Sequence, residues 1–422
     1  MMKLRKKNIL KPRHMALRQA QGDKGIMVSP SIPVTLSESK CDTYSGQALS
    51  NHEFHIMCKI ILCLAIMSIV FIVPIFAFAD DSIKVLMLDS PKDPQPSEQA
   101  QKVESLNGKV FFNNQSYSGS FEIMKDENGL YIVNNISFEK YIEGVVASEV
   151  GKSWLTEALK AQAVISRTYA LYNKNLQLEK NYHLTSSVLH QAYKGENTDP
   201  LIAQAVESTK GEILTYQGKP ANAFYHATCE GKTELPEEVW TESYPYLRSV
   251  DCNGKNTPYE KWTKEFTLEQ IRDSLGIPGF IGMTISAYTA TGRVKTLTMQ
   301  ISKANENYPL SPPSDKGGHV DTSEMEIKAT ELRMKLGYKE LPSTDFTLSV
   351  TDGMVVFNGR GYGHGVGLSQ WGSLEMAREG KNYRDILAHY YPGTEIRKNE
   401  ELHSKKQIDT QAQRDKGTQR EK

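Results

Sequence analysis

The sequence "SFEKYIEGVVASEVG", residues 137–151, has the pattern of an amphipathic helix and guides the interpretation of the segments on either side. Ser137 can cap the N-terminus of this helix, and Gly151 can end it. The apolar residues follow the i, i+3, i+4, i+7 spacing of one helix face; they are Phe138, Tyr141, Ile142, Val145, Val146 and Val150. We therefore predict a helix that packs this face against the core of a folded domain.

One acidic residue, Glu149, lies on the apolar face of the predicted helix, close to its C-terminus. Burial and the negative end of the helix dipole both disfavour an ionised carboxylate, so we expect a raised pKa for Glu149. A carboxylic acid that stays protonated near neutral pH can serve as a general acid. The alternative is that Glu149 turns to the surface at a frayed helix end. Glu139 and Glu143 lie off the apolar face and are expected to be solvated.

A second helix is predicted in "SWLTEALKAQAVISRTYALYNKN", residues 153–175. Ser153 can cap it, and its alanine-rich, mostly apolar sequence indicates a central buried helix. Lys160 and Arg167 lie on one polar edge, where solvated charges are expected.

Short segments with β-type sequence flank the two helices. They contain alternating apolar residues or turn residues, and they lie at residues 108–135, 211–228, 294–302 and 346–361. The pair Asp352-Gly353 predicts a hairpin turn in the last segment. The order of β and α segments favours an α+β domain over a regular doubly wound sheet.

The N-terminal region predicts export from the cytoplasm. Residues 1–56 are basic and polar, and we interpret them as a disordered or non-native upstream extension. Residues 57–79 contain a basic flank, an apolar run and small residues before Asp80, in the order of a cleaved signal peptide. An uncleaved signal anchor is the alternative, because about 20 apolar residues can span a bilayer. In either case the rest of the chain is expected in the periplasm or the extracellular cell wall.

The overall composition is that of a folded protein without an excess of either charge. Of the 422 residues, 39% are hydrophobic, and the formal net charge is +0, so charge suggests neither nucleic acid nor an anionic membrane surface as a partner. We place a single large domain at residues 82–397. A surface insertion near residues 303–325 and a disordered charged tail at residues 398–422 are predicted from their Pro-, Ser- and charge-rich sequences.

The stretch "GRGYGHGVGLSQWG", residues 359–372, has glycine at every second position as far as Gly367. If the chain is extended, the glycines share one face, and Arg360, Tyr362 and His364 share the other. The bare face allows another chain or a flat sugar ring to approach closely, and the opposite face offers donors and an aromatic ring. The alternative is that the glycines permit tight packing and that His364 is structural.

Two further polar residues are candidates for substrate binding: His226, in "YHAT", and Gln370, which follows a predicted helix cap at Ser369. The two cysteines of the predicted domain, Cys229 and Cys252, favour a disulfide in an oxidising compartment. A zinc site formed by His226, Cys229 and Cys252 is the alternative, and it needs a fourth ligand that the sequence does not identify.

Five motifs, in this order, resemble the SpoIID/LytB family, the stage II sporulation protein D group. They are "YIEGVVASEV", "WLTEALKAQAVISRTYAL", "AFYHATCEGKTE", "PYLRSVDC" and "FNGRGYGHGVGLSQWG" with the residues that follow it. The resemblance covers about residues 82–397, and it implies one large domain with a cleft that acts on bacterial peptidoglycan. In this family, sporulation protein D is a lytic transglycosylase that cuts glycan strands already stripped of their stem peptides. The LytB branch is described as an amidase enhancer.

The resemblance implies that Glu149 is the essential acid, because it occupies the position of the family's catalytic glutamate in "VVASEV". It also implies cleavage between N-acetylmuramic acid and N-acetylglucosamine to give 1,6-anhydro ends, with no cofactor. Hydrolysis normally needs two carboxyl groups, whereas this reaction needs one, and the sequence does not select Glu143 or Asp251 as a second. The expected partners are peptidoglycan glycan strands and, if the chain is an enhancer, a separate cell-wall amidase.

Overall fold

The computed structural model describes residues 82–90, 101–103, 110–112, 115–126, 129–151, 153–187, 190–253, 257–303 and 321–400. The chain divides into two compact units, Met1–Ala77 and Phe78–Lys422, and every described residue belongs to the second. The predicted upstream extension and signal segment lie outside the described residues, as do residues 304–320 of the insertion and 401–422 of the tail. Within the described ranges, no helix is long and apolar enough to cross a membrane.

Six strands precede the first helix of the described chain. They are β1 (Ser82–Ser90), β2 (Gln101–Val103), β3 (Val110–Phe112), β4 (Gln115–Tyr117), β5 (Ser120–Asp126) and β6 (Gly129–Ser137). β3 and β4 pair with each other, and the other four join β7 (Leu184–Thr185) in a sheet of order β2-β5-β6-β1-β7. β1 is antiparallel to β6 and parallel to β7.

Helix α1 (Phe138–Glu149) follows β6 directly and confirms the helix predicted at this position. All six residues of the predicted apolar face are buried, including Val150 just beyond the helix end. Ser137 is the N-cap residue, although its hydroxyl makes no capping hydrogen bond. The apolar face packs into a core cluster shared with the first sheet and the second helix.

Helix α2 (Thr156–Leu176) is the predicted central helix, and the 13 buried residues of its first four turns lie on all sides. It contacts α1, α3 (Pro200–Ser208) and β8 (Glu212–Tyr216). The helix begins at Thr156 and not near Ser153, because Ser153 adopts a left-handed φ of 66° that interrupts a helical backbone. Ser153 is therefore not the N-cap.

The next segment contains short elements, which are β9 (Lys219–Pro220), β10 (Tyr225–His226), β11 (Glu230–Lys232), α4 (Pro236–Val239) and β12 (Asp251–Asn253). β11 and β12 pair antiparallel. Beyond them the chain enters a group of elements with its own hydrophobic core, residues 262–359, which we call the inserted lobe.

The described residues of the inserted lobe, 262–303 and 321–359, form six strands and two helices. These are β13 (Trp262–Thr267), α5 (Leu268–Leu275), β14 (Phe280–Tyr288), β15 (Val294–Ser302), β16 (Thr322–Lys328), α6 (Ala329–Leu336), β17 (Phe346–Thr351) and β18 (Met354–Gly359). The strands form two sheets of three, β13-β18-β17 and β14-β15-β16. The predicted hairpin turn lies between β17 and β18, where Asp352 and Gly353 both have positive φ values.

The predicted surface insertion is too long at its C-terminal side. Residues 322–325 belong to β16, which pairs antiparallel with β15 from Thr322 opposite Ser302 to Lys328 opposite Thr296. The sheet satisfies the backbone hydrogen bonds of these residues, so they are part of the lobe.

The chain leaves the lobe through the glycine-rich segment and returns to the first part of the domain. Its last elements are β19 (Leu368–Ser369), α7 (Gln370–Arg378), α8 (Tyr383–Tyr390) and β20 (Glu395–Lys398). β20 pairs with β8 and extends to Lys398, the first residue of the predicted tail. Strands, helices and their order together confirm a mixed α+β domain.

Candidate active site

Most of the site residues predicted from the sequence line one pocket, which has a volume of about 620 Å³. Glu149, His226, Tyr362, His364 and Gln370 all line it. They come from α1, from β10, from the glycine-rich segment and from α7, and helix α6 of the inserted lobe lines a further part of the wall.

Glu149 is the last residue of α1, and three donors orient its carboxyl group. Oε1 accepts hydrogen bonds from the backbone N–H of Ala192, at 2.6 Å, and from the Tyr225 hydroxyl, at 3.1 Å. Oε2 accepts a hydrogen bond from the side-chain amide of Gln370, at 3.3 Å. The carboxyl group therefore has a defined position inside the pocket and does not turn to a frayed helix end.

Burial raises the pKa of the Glu149 carboxyl, because removal from water penalises the charged form. The three hydrogen bonds and the charge of Lys194 act in the opposite direction and are smaller in total effect. The direction is the one predicted from the sequence. The residue keeps part of its surface open, so a raised-pKa acid can exchange a proton with a bound molecule.

The pairing of two very short strands brings the side-chain donors to Glu149. β10 and β19 are parallel, with Tyr225 opposite Leu368. Gln370 follows β19 as the first residue of α7, whose N-terminus is capped by the Ser369 hydroxyl as predicted. Two residues that are far apart in sequence thus reach the same carboxyl group.

The glycine-rich segment is not extended, and its glycines are closely packed, as in the alternative that the sequence left open. Positive φ values between 71° and 114° occur at Gly361, Gly363, Gly365 and Gly367. Such values are accessible to glycine and costly for other residues. Space is also short at Gly363, where a Cβ would lie 2.7 Å from the Cβ of His226. The alternating pattern therefore encodes repeated left-handed backbone and close packing; Tyr362 and His364 both line the pocket, whereas Arg360 does not.

Two histidines lie beside each other in the pocket wall, with the ring centroids of His226 and His364 5.8 Å apart. Nδ1 of His226 donates to the Val366 carbonyl, at 3.2 Å, and Nδ1 of His364 accepts from the Val366 N–H, at 3.1 Å. Burial lowers the pKa of both rings, that of His364 to about 3. Both imidazoles are consequently neutral at ordinary pH and offer hydrogen bonds without charge.

Arg360 lies away from the other selected residues. Its Nε donates to Oδ2 of Asp345 at 2.9 Å, its side chain is 55% exposed, and it does not line the pocket. The left-handed conformation at Gly361 separates its direction from that of Tyr362, which does line the pocket and has its ring 4.5 Å from that of Tyr259.

Sequence reasoning missed several aromatic residues of the pocket, among them Tyr225 and Trp240. Tyr225 adjoins His226 in the motif "AFYHAT", but the motif does not reveal which of the two side chains reaches Glu149. Trp240 belongs to no recognised pattern, and its ring stacks on Phe224 at a centroid distance of 4.4 Å. Sequence motifs point mainly to polar residues, whereas flat aromatic surfaces also form ligand-binding sites.

Arg167 was predicted as a solvated charge, and the structure corrects this. Its side chain is 1% exposed and makes a bidentate ion pair with Glu139, with Nε–Oε1 at 2.8 Å and Nη2–Oε2 at 2.7 Å. In a third hydrogen bond, Nη1 donates to the Glu212 carbonyl at 3.0 Å. Glu139 is therefore also not a free surface charge, and the pair fastens α1 to α2.

Cys229 and Cys252 form a disulfide, with their Cα atoms 6.0 Å apart. The bond links the segment after β10 to β12. The ligand atoms of His226 and the two cysteines lie within 4.8 Å of one another, so the alternative zinc-binding set is also close in space. A thiolate is the form of cysteine that binds zinc, so metal binding here would require the disulfide to be reduced.

The site as a whole is a pocket with several aromatic side chains that contains an oriented, partly buried carboxyl group with a raised pKa. Such a group can protonate a leaving atom of a bound molecule and take a proton back as a base. Of the residues that line the pocket, Glu331 is the other acidic one, and it is exposed.

The chain belongs to the stage II sporulation protein D family, as its similarity to known proteins shows. The SpoIID family model, described as stage II sporulation protein, matches residues 126–216, a range that includes Glu149. The chain is 34% identical to stage II sporulation protein D of Bacillus subtilis over 281 residues, which cover 63% of this chain and 75% of that protein.

Two other relatives extend the comparison. An uncharacterised protein of Brachyspira hyodysenteriae is 30% identical over 67% of this chain and 73% of its own length. The amidase enhancer of Bacillus subtilis is 28% identical over 60% of this chain and 40% of its own length.

Proposed function

We propose that the protein is a peptidoglycan lytic transglycosylase in which Glu149 is the general acid and base. The observation that carries the proposal is the carboxyl group of Glu149, which is partly buried, has a raised pKa and is held by three donors inside the pocket. Membership of the stage II sporulation protein D family supports the same assignment.

The proposed reaction begins when Glu149 gives its proton to the glycosidic oxygen between N-acetylmuramic acid and N-acetylglucosamine. The bond from C1 of the muramic acid to this oxygen then breaks. The C6 hydroxyl of the same sugar attacks C1, and the Glu149 carboxylate takes its proton. Glu149 ends in its starting state, and the new end is a 1,6-anhydro sugar. Because the nucleophile belongs to the substrate, its orientation costs little entropy.

The two oxygens of Glu149 are suited to different parts of this cycle. Oε1 accepts two hydrogen bonds, one of them short, so it is the better carbonyl-type acceptor when the acid is protonated. Oε2 accepts one longer hydrogen bond, from Gln370, so it is the oxygen better able to carry the transferable proton.

The lining of the pocket supports a sugar substrate. Trp240, Tyr338 and Tyr362 offer aromatic surface, on which the apolar face of a sugar ring can lie. The neutral His226 and His364 can exchange hydrogen bonds with hydroxyl and N-acetyl groups without the cost of burying a charge. We interpret the pocket as part of the cleft expected for the family.

Carboxyl groups in the pocket also bear on the type of reaction. Hydrolysis would need a second carboxyl group to activate water, and neither Glu143 nor Asp251 lines the pocket. Glu331 does line it, but its exposure leaves it without the burial that tunes Glu149. The proposal therefore assigns the chemistry to one carboxyl group.

A second candidate function is stimulation of a separate cell-wall amidase, which the relative named amidase enhancer favours. In that case the pocket would bind glycan without cutting it. Both candidates place the chain outside the cytoplasm, at the cell wall, with peptidoglycan as its partner. A metal or other cofactor is not part of either proposal.

Mass spectrometry of purified, peptide-free glycan strands after incubation with the protein distinguishes these candidates. We expect products that end in 1,6-anhydro-N-acetylmuramic acid. Ordinary reducing ends would identify a hydrolase. Intact strands, together with faster peptide release by an added amidase, would support the enhancer and reject the transglycosylase.

A further inference from the structure

A buried cationic side chain also lines the pocket and has no role in the chemistry proposed above. Arg333, on helix α6 of the inserted lobe, is 8% exposed and forms part of the pocket wall. Its Nε donates to the Leu341 carbonyl at 2.8 Å, and its guanidinium lies over the Tyr338 ring at 4.8 Å. These contacts fix the plane of the side chain and leave both terminal nitrogens without a hydrogen bond to any described residue.

Arg333 also has no anionic partner among the described residues. Two neighbouring arginines differ in this respect, because Arg293 lies 4.0 Å from Glu234 and Arg360 is paired with Asp345. Burial, with a smaller effect from the charge of Arg293, lowers the pKa of Arg333 to about 10, so it is still protonated at neutral pH. An unpaired buried cation is costly, and a protein retains one most readily where a ligand supplies the anion.

The candidate substrate offers one kind of anion. A glycan strand without stem peptides carries the free lactyl carboxylate of each N-acetylmuramic acid, and its other groups are neutral. In a strand that still has its peptides, the same carbon is part of an amide. The two parallel N–H donors of an arginine match the two oxygens of a carboxylate. An amide offers only one acceptor oxygen, so it cannot accept both hydrogen bonds in the same way.

We propose that Arg333 binds the free lactyl carboxylate of N-acetylmuramic acid, and that this contact selects strands from which stem peptides have been removed. This inference rests on the proposed function, since it concerns the same pocket and the same glycan. It makes Arg333 a specificity-determining residue, which acts on the side group of the sugar while Glu149 acts on the glycosidic oxygen. The reaction that supplies the substrate is then hydrolysis of the amide between the lactyl group and the peptide.

The test compares two forms of one substrate: peptide-free strands with free lactyl carboxylates, and the same strands after conversion of these groups to methylamides. For the wild-type protein we expect kcat/KM to be roughly 10- to 100-fold higher on the carboxylate form, the usual range for a hydrogen-bonded charge. Arg333→Gln should remove this preference by lowering kcat/KM on the carboxylate form alone. Arg333→Lys, which keeps the charge without the planar fork, should give an intermediate preference.

The control variant is Arg272→Gln, which removes a partly exposed arginine of α5 that lies in the same lobe but does not line the pocket, and it should leave the preference unchanged. The wild-type comparison needs no substitution, so it remains decisive if Arg333→Gln does not fold. Equal kcat/KM of the wild type on both strand forms would overturn the inference, as would a preference that survives in a folded Arg333→Gln protein.

Titration calorimetry with the same two strand forms separates this inference from the proposed function. If the wild type cleaves neither form, the transglycosylase proposal fails, but preferential binding of the carboxylate form that is lost in Arg333→Gln would still support the contact. Equal affinity for the two forms would reject the contact even where cleavage is observed.

Discussion

The hydroxyl of Tyr225 lies 3.1 Å from Oε1 of Glu149 and donates a hydrogen bond to it, although 76 positions separate the two residues. This bond favours the charged carboxylate, whereas burial favours the neutral acid and has the larger effect. Burial and the Tyr225 hydrogen bond thus act on the pKa of Glu149 in opposite directions, and the hydrogen bond can be removed by itself.

Replacement of Glu149 by Gln should abolish most cleavage while the fold persists. The amide has the same shape and carries no charge to desolvate, but it has no proton to transfer. We expect a loss of roughly 10²- to 10⁴-fold in kcat, measured by the release of 1,6-anhydro ends. Glu331→Gln is the matched control, because it alters the other glutamate of the pocket and should retain most activity. Near-normal cleavage by Glu149→Gln would move the chemistry to another residue.

Replacement of Tyr225 by Phe should shift the pH dependence of cleavage. Without this hydrogen bond the charged carboxylate is less favoured, so the pKa of Glu149 rises further. Activity requires the protonated acid and falls as pH rises through this pKa. The decline on the alkaline side should therefore begin at a higher pH in the variant, with a lower maximal rate because the carboxyl group is less firmly held.

The control for this pH profile is Tyr169→Phe, which removes a hydroxyl from another tyrosine of the same pocket. No hydrogen bond joins Tyr169 to Glu149 within the described structure. The activity of Tyr169→Phe should therefore fall at the same alkaline pH as that of the wild type. A shift of equal size in both variants would mean that general loosening of the pocket, and not the Tyr225 bond, controls the profile.

Replacement of Glu139 by Gln should destabilise the protein by about 3 kcal/mol or more, because the charge of Arg167 would be left buried without its partner. Glu143→Gln, on the same helix, breaks an exposed pair with Lys140 and should change the free energy of unfolding by less than about 0.5 kcal/mol. Denaturant unfolding of the two variants checks this contrast. Equal losses of stability would show that the Arg167 contact is not the reason.

Non-reducing peptide mapping should recover Cys229 linked to Cys252. Replacement of both cysteines by Ser should lower the free energy of unfolding by roughly 2–4 kcal/mol, which a domain of this size can tolerate. Metal analysis of the wild-type protein tests the alternative, a zinc site. About one zinc per chain, with Cys229 and Cys252 not linked to each other, would contradict the disulfide and support a zinc site that includes His226.

The helix that carries Glu149 could be predicted in detail, because it depends on local spacing. Its apolar face, its N-cap position and the acid at its C-terminal end all follow from residues 137–151. The start of α2 was placed too early, because the left-handed backbone at Ser153 results from the connection between the two helices and has no marker in the residue itself.

The glycine-rich segment illustrates a different limit. Alternating glycines suggested a flat extended chain, but the same spacing also suits a series of left-handed turns, and the choice depends on what packs against them. The close approach of Gly363 to His226 is one such contact. Sequence alone therefore identified the segment as unusual but could not choose between an extended chain and tight packing of the glycines.

The α+β class, the helix of Glu149, the hairpin at Asp352-Gly353 and the family resemblance could all be derived from the amino-acid sequence, because each rests on local periodicity, turn chemistry or motif order. Which distant groups meet became known only from the folded domain. It paired Tyr225 and Gln370 with Glu149, buried Arg167 against Glu139 and brought Arg333 into the pocket wall. The physical reason is that hydrogen bonds and ion pairs depend on distances of about 3 Å between atoms, and for residues far apart in sequence such distances are set by the packing of the whole domain.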